Sequence, residues 1–214
     1  MTALNVKYAV SSEADLRDLY ADTHALAIKK CMGQIDSHSR NFIARSPFLC
    51  LSTQNANGAA DVSPRGDPPG FVKVLNENTL LIPDRPGNNR LDSLSNILSN
   101  PSVGLLFMVP GFEDTLRVNG RASLNRDPEL LATMTVKNRT PTLAIVVQVN
   151  EVFLHCAKAL RRAKLWSTDS HQDRSEIPSM IAMITEQSSD DSLEPGALSV
   201  AEEELEDEYN RTMY

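Results

Sequence analysis

Apolar and polar positions change their period along this chain, and the changes mark out its elements. Between residues 12 and 30, Leu16, Leu19, Tyr20, Leu26 and Ala27 recur at helical spacing. Ser12, followed three residues on by Asp15, makes a capping-box-like start. Lys29 and Lys30 suit the end of such a helix, where the dipole favours cations, and Gly33 stops it. A shorter helix is expected over Ser39–Ala44, with Phe42 and Ile43 on its buried side.

From Phe48 the pattern turns to strands. Phe48–Gln54 is apolar and bounded by turn residues. Asn55–Gly58 reads NANG, a hairpin signal because Asn and Gly tolerate positive φ, and Ala59–Val62 runs back. Ser63–Gly70, with three prolines and two glycines, is expected to stay out of regular pairing. Phe71–Leu75 and Thr79–Pro83 predict a hairpin turning at Asn76-Glu77-Asn78. A short helix follows over Leu91–Leu98, with Leu91, Leu94, Ile97 and Leu98 on one face and Asn100-Pro101 ending it. Ser102–Val109 and Thr115–Leu124 read as strands, and Asp127-Pro128-Glu129 opens a short helix. Thr142–Val149 is the strongest β stretch, and the chain stays extended to His155. Ala157–Lys164 reads as a basic helix closed by Trp166, Pro178–Ile184 is short and apolar, and the acidic tail from Ser188 is expected to be disordered or a solvated helix.

Six or seven strands in antiparallel hairpins, with helices between them, predict a mainly β fold with flanking helices. A closed or nearly closed barrel is favoured, since closure removes exposed edges. No GxGxxG or GxxxxGK[ST] fingerprint occurs, which argues against a doubly wound nucleotide fold.

Size and charge narrow the function. The 214 residues suffice for one domain with extensions, read as a helical segment over 1–45, a barrel domain over 46–185 and a tail over 186–214. A net charge of -7 argues against broad nucleic-acid binding. No run of eighteen apolar residues and no basic, apolar leader are present, so neither a membrane span nor a signal peptide is expected, and a cytoplasmic location is. Cys31, Cys50 and Cys156 are odd in number and lack a CxxC pair. They indicate neither a disulfide framework nor a zinc site, and Cys50 is expected as a core thiol. His24, His38 and His171 lack ligand-like spacing. His155 and Cys156, adjacent on a strand, point to opposite faces and make a poor nucleophile pair.

The chemistry concentrates in Ser63–Leu98. Ser63 and Arg65 lie in a Pro/Gly-rich stretch, and Asp84-Arg85-Pro86-Gly87-Asn88-Asn89-Arg90 leads straight into a helix. Arg presents a fixed fork of donors to phosphate oxygens, and a helix N-terminus adds unpaired N–H groups. An anion site is therefore expected. The plainer alternative is a solvated loop, with Arg65 paired to Asp61 or Asp67, Asn88 or Asn89 capping the helix, and Asp84 orienting Arg85 or Arg90. The cluster Lys158, Arg161, Arg162 and Lys164 is a solvated helix face, an attractor for a phosphorylated ligand or cofactor or, least of the three since no aromatic stacking row lies beside it, a nucleic-acid contact.

Several stretches together resemble the FMN-binding split-barrel proteins related to pyridoxamine 5'-phosphate oxidase. They are Ser46-Pro47-Phe48, Asp61-Val62-Ser63-Pro64-Arg65-Gly66-Asp67, Ile82–Arg90, Asn119-Gly120-Arg121-Ala122, Phe153–Ala159, Arg162 and Leu165-Trp166. The resemblance implies a homodimeric split barrel that binds FMN between its subunits and acts as an oxidoreductase on a small substrate. A non-catalytic flavin-binding, redox-sensing or storage protein is the alternative, and a deazaflavin or haem in the same groove a weaker third, for which nothing in the sequence supports His155 as an axial ligand. The flavin phosphate would fall to Ser63, Arg65, Asn88, Asn89 and Arg90, with Arg85 a further candidate. Lys158 and Trp166 would reach the flavin or substrate of the neighbouring subunit. No catalytic residue and no metal ligand are implied. The Arg-x-Val-Leu-Leu-Lys run of the vitamin enzyme and its Arg-x-His near the end are absent, so the flavin site is better supported than the vitamin-synthesis role.

Overall fold

The computed structural model describes residues 5–188 and 195–214. Its N-terminal part holds α1 (Glu13–Asp18) and α2 (Ala25–Lys29), in place of the one helix expected over 12–30. The Ser12 hydroxyl does accept from the backbone N–H of Asp15, as the capping pattern predicts. The break comes because His24 starts a second helix, its Nδ1 accepting from the N–H of Leu26. Leu16, Leu19, Tyr20 and Leu26 are all exposed. Short helices draw most of their stability from packing, and this pair has no core to pack on.

The next helix is different. α3 (Ser37–Arg45) is capped by Asp36, whose carboxylate accepts from the N–H of Ser39 at 2.8 Å. It carries Phe42 and Ile43 into the core, as the sequence predicts, and burying side chains of this size stabilises by about 1.5–3 kcal/mol each.

Seven antiparallel strands form one sheet: β1 (Phe48–Gln54), β2 (Ala60–Gly66), β3 (Lys73–Asn76), β4 (Thr79–Pro83), β5 (Ser102–Met108), β6 (Thr115–Asn125) and β7 (Ala144–His155). Their spatial order is β2-β1-β5-β6-β7-β4-β3. The ladder is open, ending at β2 and β3, so hydrogen bonding does not close the expected barrel. Side chains bridge the gap instead: Arg65 of β2 reaches Asp84, just past β4, at 2.8 Å. Inward residues alternate with outward ones along β1, β5 and β6, and Leu49, Leu51, Leu105, Phe107, Leu116 and Val118 fill the core. Cys50 lies on the other face of β1, half-buried and reduced, which corrects its reading as a core thiol.

The Pro/Gly-rich stretch is also more regular than predicted. Ser63–Gly66 pair with Phe48–Leu51 as the second half of β2. Pro64 fits because β2 is an edge strand, which needs donors on one side only. β6 and β7 run side by side for most of their length, and the register shifts at Asn119/Gly120: Asn119 faces Glu151 and Gly120 faces Val149, leaving Asn150 as an extra residue. α4 (Asp92–Ser99) packs across β1, β2 and β6, burying Leu94 and Ile97, whereas Leu91 and Leu98 are exposed rather than on its buried face. α5 (Pro128–Ala132) follows β6. Beyond β7 come the exposed α6 (Lys158–Ala163), α7 (Met180–Ser188) and α8 (Pro195–Thr212). The tail expected from Ser188 is thus helical over α8, while residues 189–194 lie outside the described residues. No described helix is long and apolar enough to cross a membrane.

Candidate functional site

A cavity of about 910 Å³ opens where β2, the segment after β4, the start of α4 and the loop before β7 meet. Its wall contains Ser63, Arg65, Arg85, Asn88, Asn89 and Arg90, six of the eight residues singled out from sequence. β2 and the 84–90 segment, far apart in the sheet order, converge here because the sheet curls.

Each arginine has its own circumstances. Arg65 pairs with Asp84, not with Asp61 or Asp67, and its Nε is buried without a hydrogen-bond partner. A buried orphan donor is uncommon and costly, and an anionic oxygen is the group that would satisfy it. Arg85 is held within the protein: Nε donates to Asp67 at 2.6 Å and Nη2 to the carbonyl of Met134 at 2.8 Å. Arg90 lies ahead of α4, its side chain 74% exposed, and Asp92 in the first turn meets its charge at 2.7 Å. That pair, not an absent anion, accounts for a cation beside a helix start, and the hydrogen bond to Asp92 raises the guanidinium pKa.

The approach to α4 is strained. Asn89 and Leu91 both have positive φ, near 57° and 61°, a region Asn tolerates and Leu avoids. Asn88 caps the preceding turn, its Oδ1 accepting from the N–H of Arg90 at 3.2 Å. Leu91 occupies the N-cap position of α4 and offers no side-chain acceptor. The first N–H groups of α4 therefore have no side-chain cap, and Leu91–Leu94 line the cavity. Below them, Asp61 accepts from Ser93 Oγ at 3.2 Å, and Asn96 donates to Thr53 at 3.0 Å, fixing α4 against β1 and β2.

Two contributors to the wall carry no signal in the sequence. Arg139, with Thr140, Pro141 and Thr142, enters from the loop before β7, beside the positive-φ pair Lys137 and Asn138. Tyr214 comes from the segment after α8, donating its hydroxyl to Asp67 at 2.9 Å. Both arrive by long-range folding, and neither sits in a recognisable motif.

Lys158 and Trp166 do not line this cavity. Lys158 is exposed at the start of α6, and Trp166 donates Nε1 to the carbonyl of Phe112 at 2.7 Å. His155, half-buried at the end of β7 with its Nδ1 unpartnered, is also absent from the wall.

Residues 35–156 match the family model described as pyridoxamine 5'-phosphate oxidase. The chain belongs to the pyridoxamine 5'-phosphate oxidase family. The matched span runs from just before α3 to the end of β7, the whole sheet. Among solved structures, this family member is similar to a pyridoxamine 5'-phosphate oxidase-like protein of Lactobacillus delbrueckii, at 21% identity over 57% of this chain and 95% of that one, TM-score 0.44. It is similar to an FMN-binding protein of Syntrophomonas wolfei, at 13% identity over 61% and 91%, TM-score 0.43. A third is HutZ, the heme storage protein of Vibrio cholerae, at 17% identity over 56% and 94%, TM-score 0.39. The comparison with curated proteins returns no match.

Proposed function

We propose that this oxidase-family chain is an FMN-binding protein whose primary role is to hold the flavin, for storage or redox sensing. The observation that carries the binding is Arg65, which lines the cavity and whose guanidinium keeps a buried Nε without a partner. A phosphate monoester there would accept from Arg65, Asn89 and the uncapped N–H groups of α4, with Ser63 and Arg139 at its margins. The bound flavin would supply the capacity to take up and release electrons.

The non-catalytic role stands first because of the acids. Asp61 is tied to Ser93, Asp84 to Arg65 and Asp92 to Arg90, and among the described residues neither histidine nor cysteine lines the cavity. Among the described residues, each carboxylate of the wall is thus already engaged by a neighbouring side chain, which does not favour a role as general base. An FMN-dependent oxidoreductase acting on a small molecule is the second reading, favoured by family membership. In either case a second copy of the chain covers the outer face of the sheet and brings Lys158 and Trp166 toward its neighbour's cavity, as the family resemblance implies.

The test begins with the visible spectrum of purified protein and the mass of any chromophore released by heat, followed by titration with FMN. Saturable FMN binding is expected, and Arg65→Ala should weaken it by about 1.5–3 kcal/mol, roughly 10- to 150-fold. Equal affinity in the two proteins would sink the Arg65 assignment, and uptake of haem or a deazaflavin but not FMN would replace the cofactor. Reoxidation of the reduced, loaded protein by a metabolite faster than by dissolved oxygen would move the oxidoreductase reading ahead.

A further inference from the structure

The tail contributes a residue to the cavity, and its contacts lead directly to the anion loop. The Tyr214 hydroxyl donates to Oδ1 of Asp67 at 2.9 Å. Oδ2 of the same carboxylate accepts from Arg85 Nε at 2.6 Å, and the Asp67 side chain is only 1% exposed. Arg85 in turn donates Nη2 to the carbonyl of Met134. The Tyr214 ring lies beside two cations, with the Arg85 guanidinium 5.8 Å and the Lys137 ammonium 4.8 Å from its centroid. Asp67 is thus a buried carboxylate shared between the tail and Arg85.

Arg85 is rooted in the segment that continues through Asn88 and Asn89 to the left-handed Leu91. A strained loop keeps its shape only where its surroundings over-determine it. Arg85 is its anchor on the sheet side, and the Tyr214 hydroxyl completes the hydrogen bonding of the anchor's partner. We propose that Tyr214 is a positioning residue for the cavity: acting through Asp67, it fixes Arg85 and with it the 84–91 segment that receives the anion. The proposal rests on the cavity being a flavin phosphate site, and the tail becomes part of that site without itself touching the phosphate.

The experiment compares the full chain with its Tyr214→Phe and Tyr214→Ala variants. Phe keeps the ring beside Arg85 and Lys137 and loses only the hydroxyl, whereas Ala loses both. Two readouts are taken: hydrogen–deuterium exchange over residues 84–91 without ligand, and the dissociation constant for FMN, with melting temperature as the control for folding. Tyr214→Phe should speed exchange in that segment and weaken FMN binding about 3- to 10-fold at an unchanged melting temperature, and Tyr214→Ala should do more. Exchange and affinity both unmoved in Tyr214→Ala would overturn the proposal, as would tighter FMN binding. FMN bound by none of the three proteins would overturn the flavin reading alone, and the exchange comparison would then decide the positioning role by itself.

Discussion

Arg65, Arg85 and Arg90 at this site each pair with an aspartate, Arg65 with Asp84 included, and they divide by whether a donor is left over. Arg85 and Arg90 are engaged with Asp67 and Asp92, whereas Arg65 keeps a buried donor idle. Arg90→Ala should therefore weaken FMN binding less than Arg65→Ala, a ranking that parallel titrations would check. Gly120 shows a different constraint. A Cβ there would collide with the carbonyl of Gln148 across the β6–β7 bulge, so Gly120→Ala should destabilise the fold by about 1–3 kcal/mol, measurable by urea denaturation. Tyr214 carries the pH dependence. Burial and the hydrogen bond to the Asp67 carboxylate hold its phenol above the ordinary tyrosine range, and Arg85 opposes the shift. A pKa raised by folding stabilises the docked tail below the unfolded value, and that contribution is lost as pH rises through the folded one. Phenolate absorbance should accordingly show a late alkaline phase that Tyr214→Phe removes.

Among the elements, the helices separate by what they can bury. α3 has a cap and a core-facing pair, and the N–H of Ser39 holds the Asp36 carboxyl below its ordinary range. A pKa lowered by folding contributes stability above the unfolded value and loses it as pH falls through the folded one. Asp36→Ala should cost about 1 kcal/mol at neutral pH, and the difference from the parent should shrink in acid, as melting curves at several pH values would show. Hydrophobic period and turn chemistry made the strands legible: NANG, Asn76–Asn78 and the run into β7 are local signals. The same reasoning joined α1 and α2, because helical spacing does not reveal whether a partner surface exists. It also took Pro64 out of β2, since edge position belongs to the assembled sheet. The arginines and asparagines of the cavity were visible as a cluster, but their pairings were not. Asp84 lies 19 residues from Arg65, and Tyr214 lies 147 from Asp67. Such contacts follow from the curl of the sheet, which no local pattern encodes.

Across the whole molecule, Leu131 of α5 and Met134 cover the outer face of the sheet at β4 and β7, against Leu81, Ala144 and Val146, and the face is only half-buried across β1, β5 and β6. Paired neighbours Cys50, Leu106, Arg117 and Phe153 cross it in one row, half-buried, with the Arg117 guanidinium 5.0 Å from the Phe153 ring centroid. If a second copy sits on this row, Leu106→Glu should yield a monomer in light scattering, and dimers persisting in that variant would place the interface elsewhere. The two ends of the sheet have a consequence of another kind. β2 presents Pro64 between Asp61 and Arg65, and β3 is four residues long with its register broken between Val74 and Asn76. An incoming strand needs a straight row of free donors and acceptors, and neither end supplies one. An open ladder thus resists joining to its neighbours in a concentrated solution, and replacing Pro64 with valine would turn a protected border into a seed for intermolecular β-sheet.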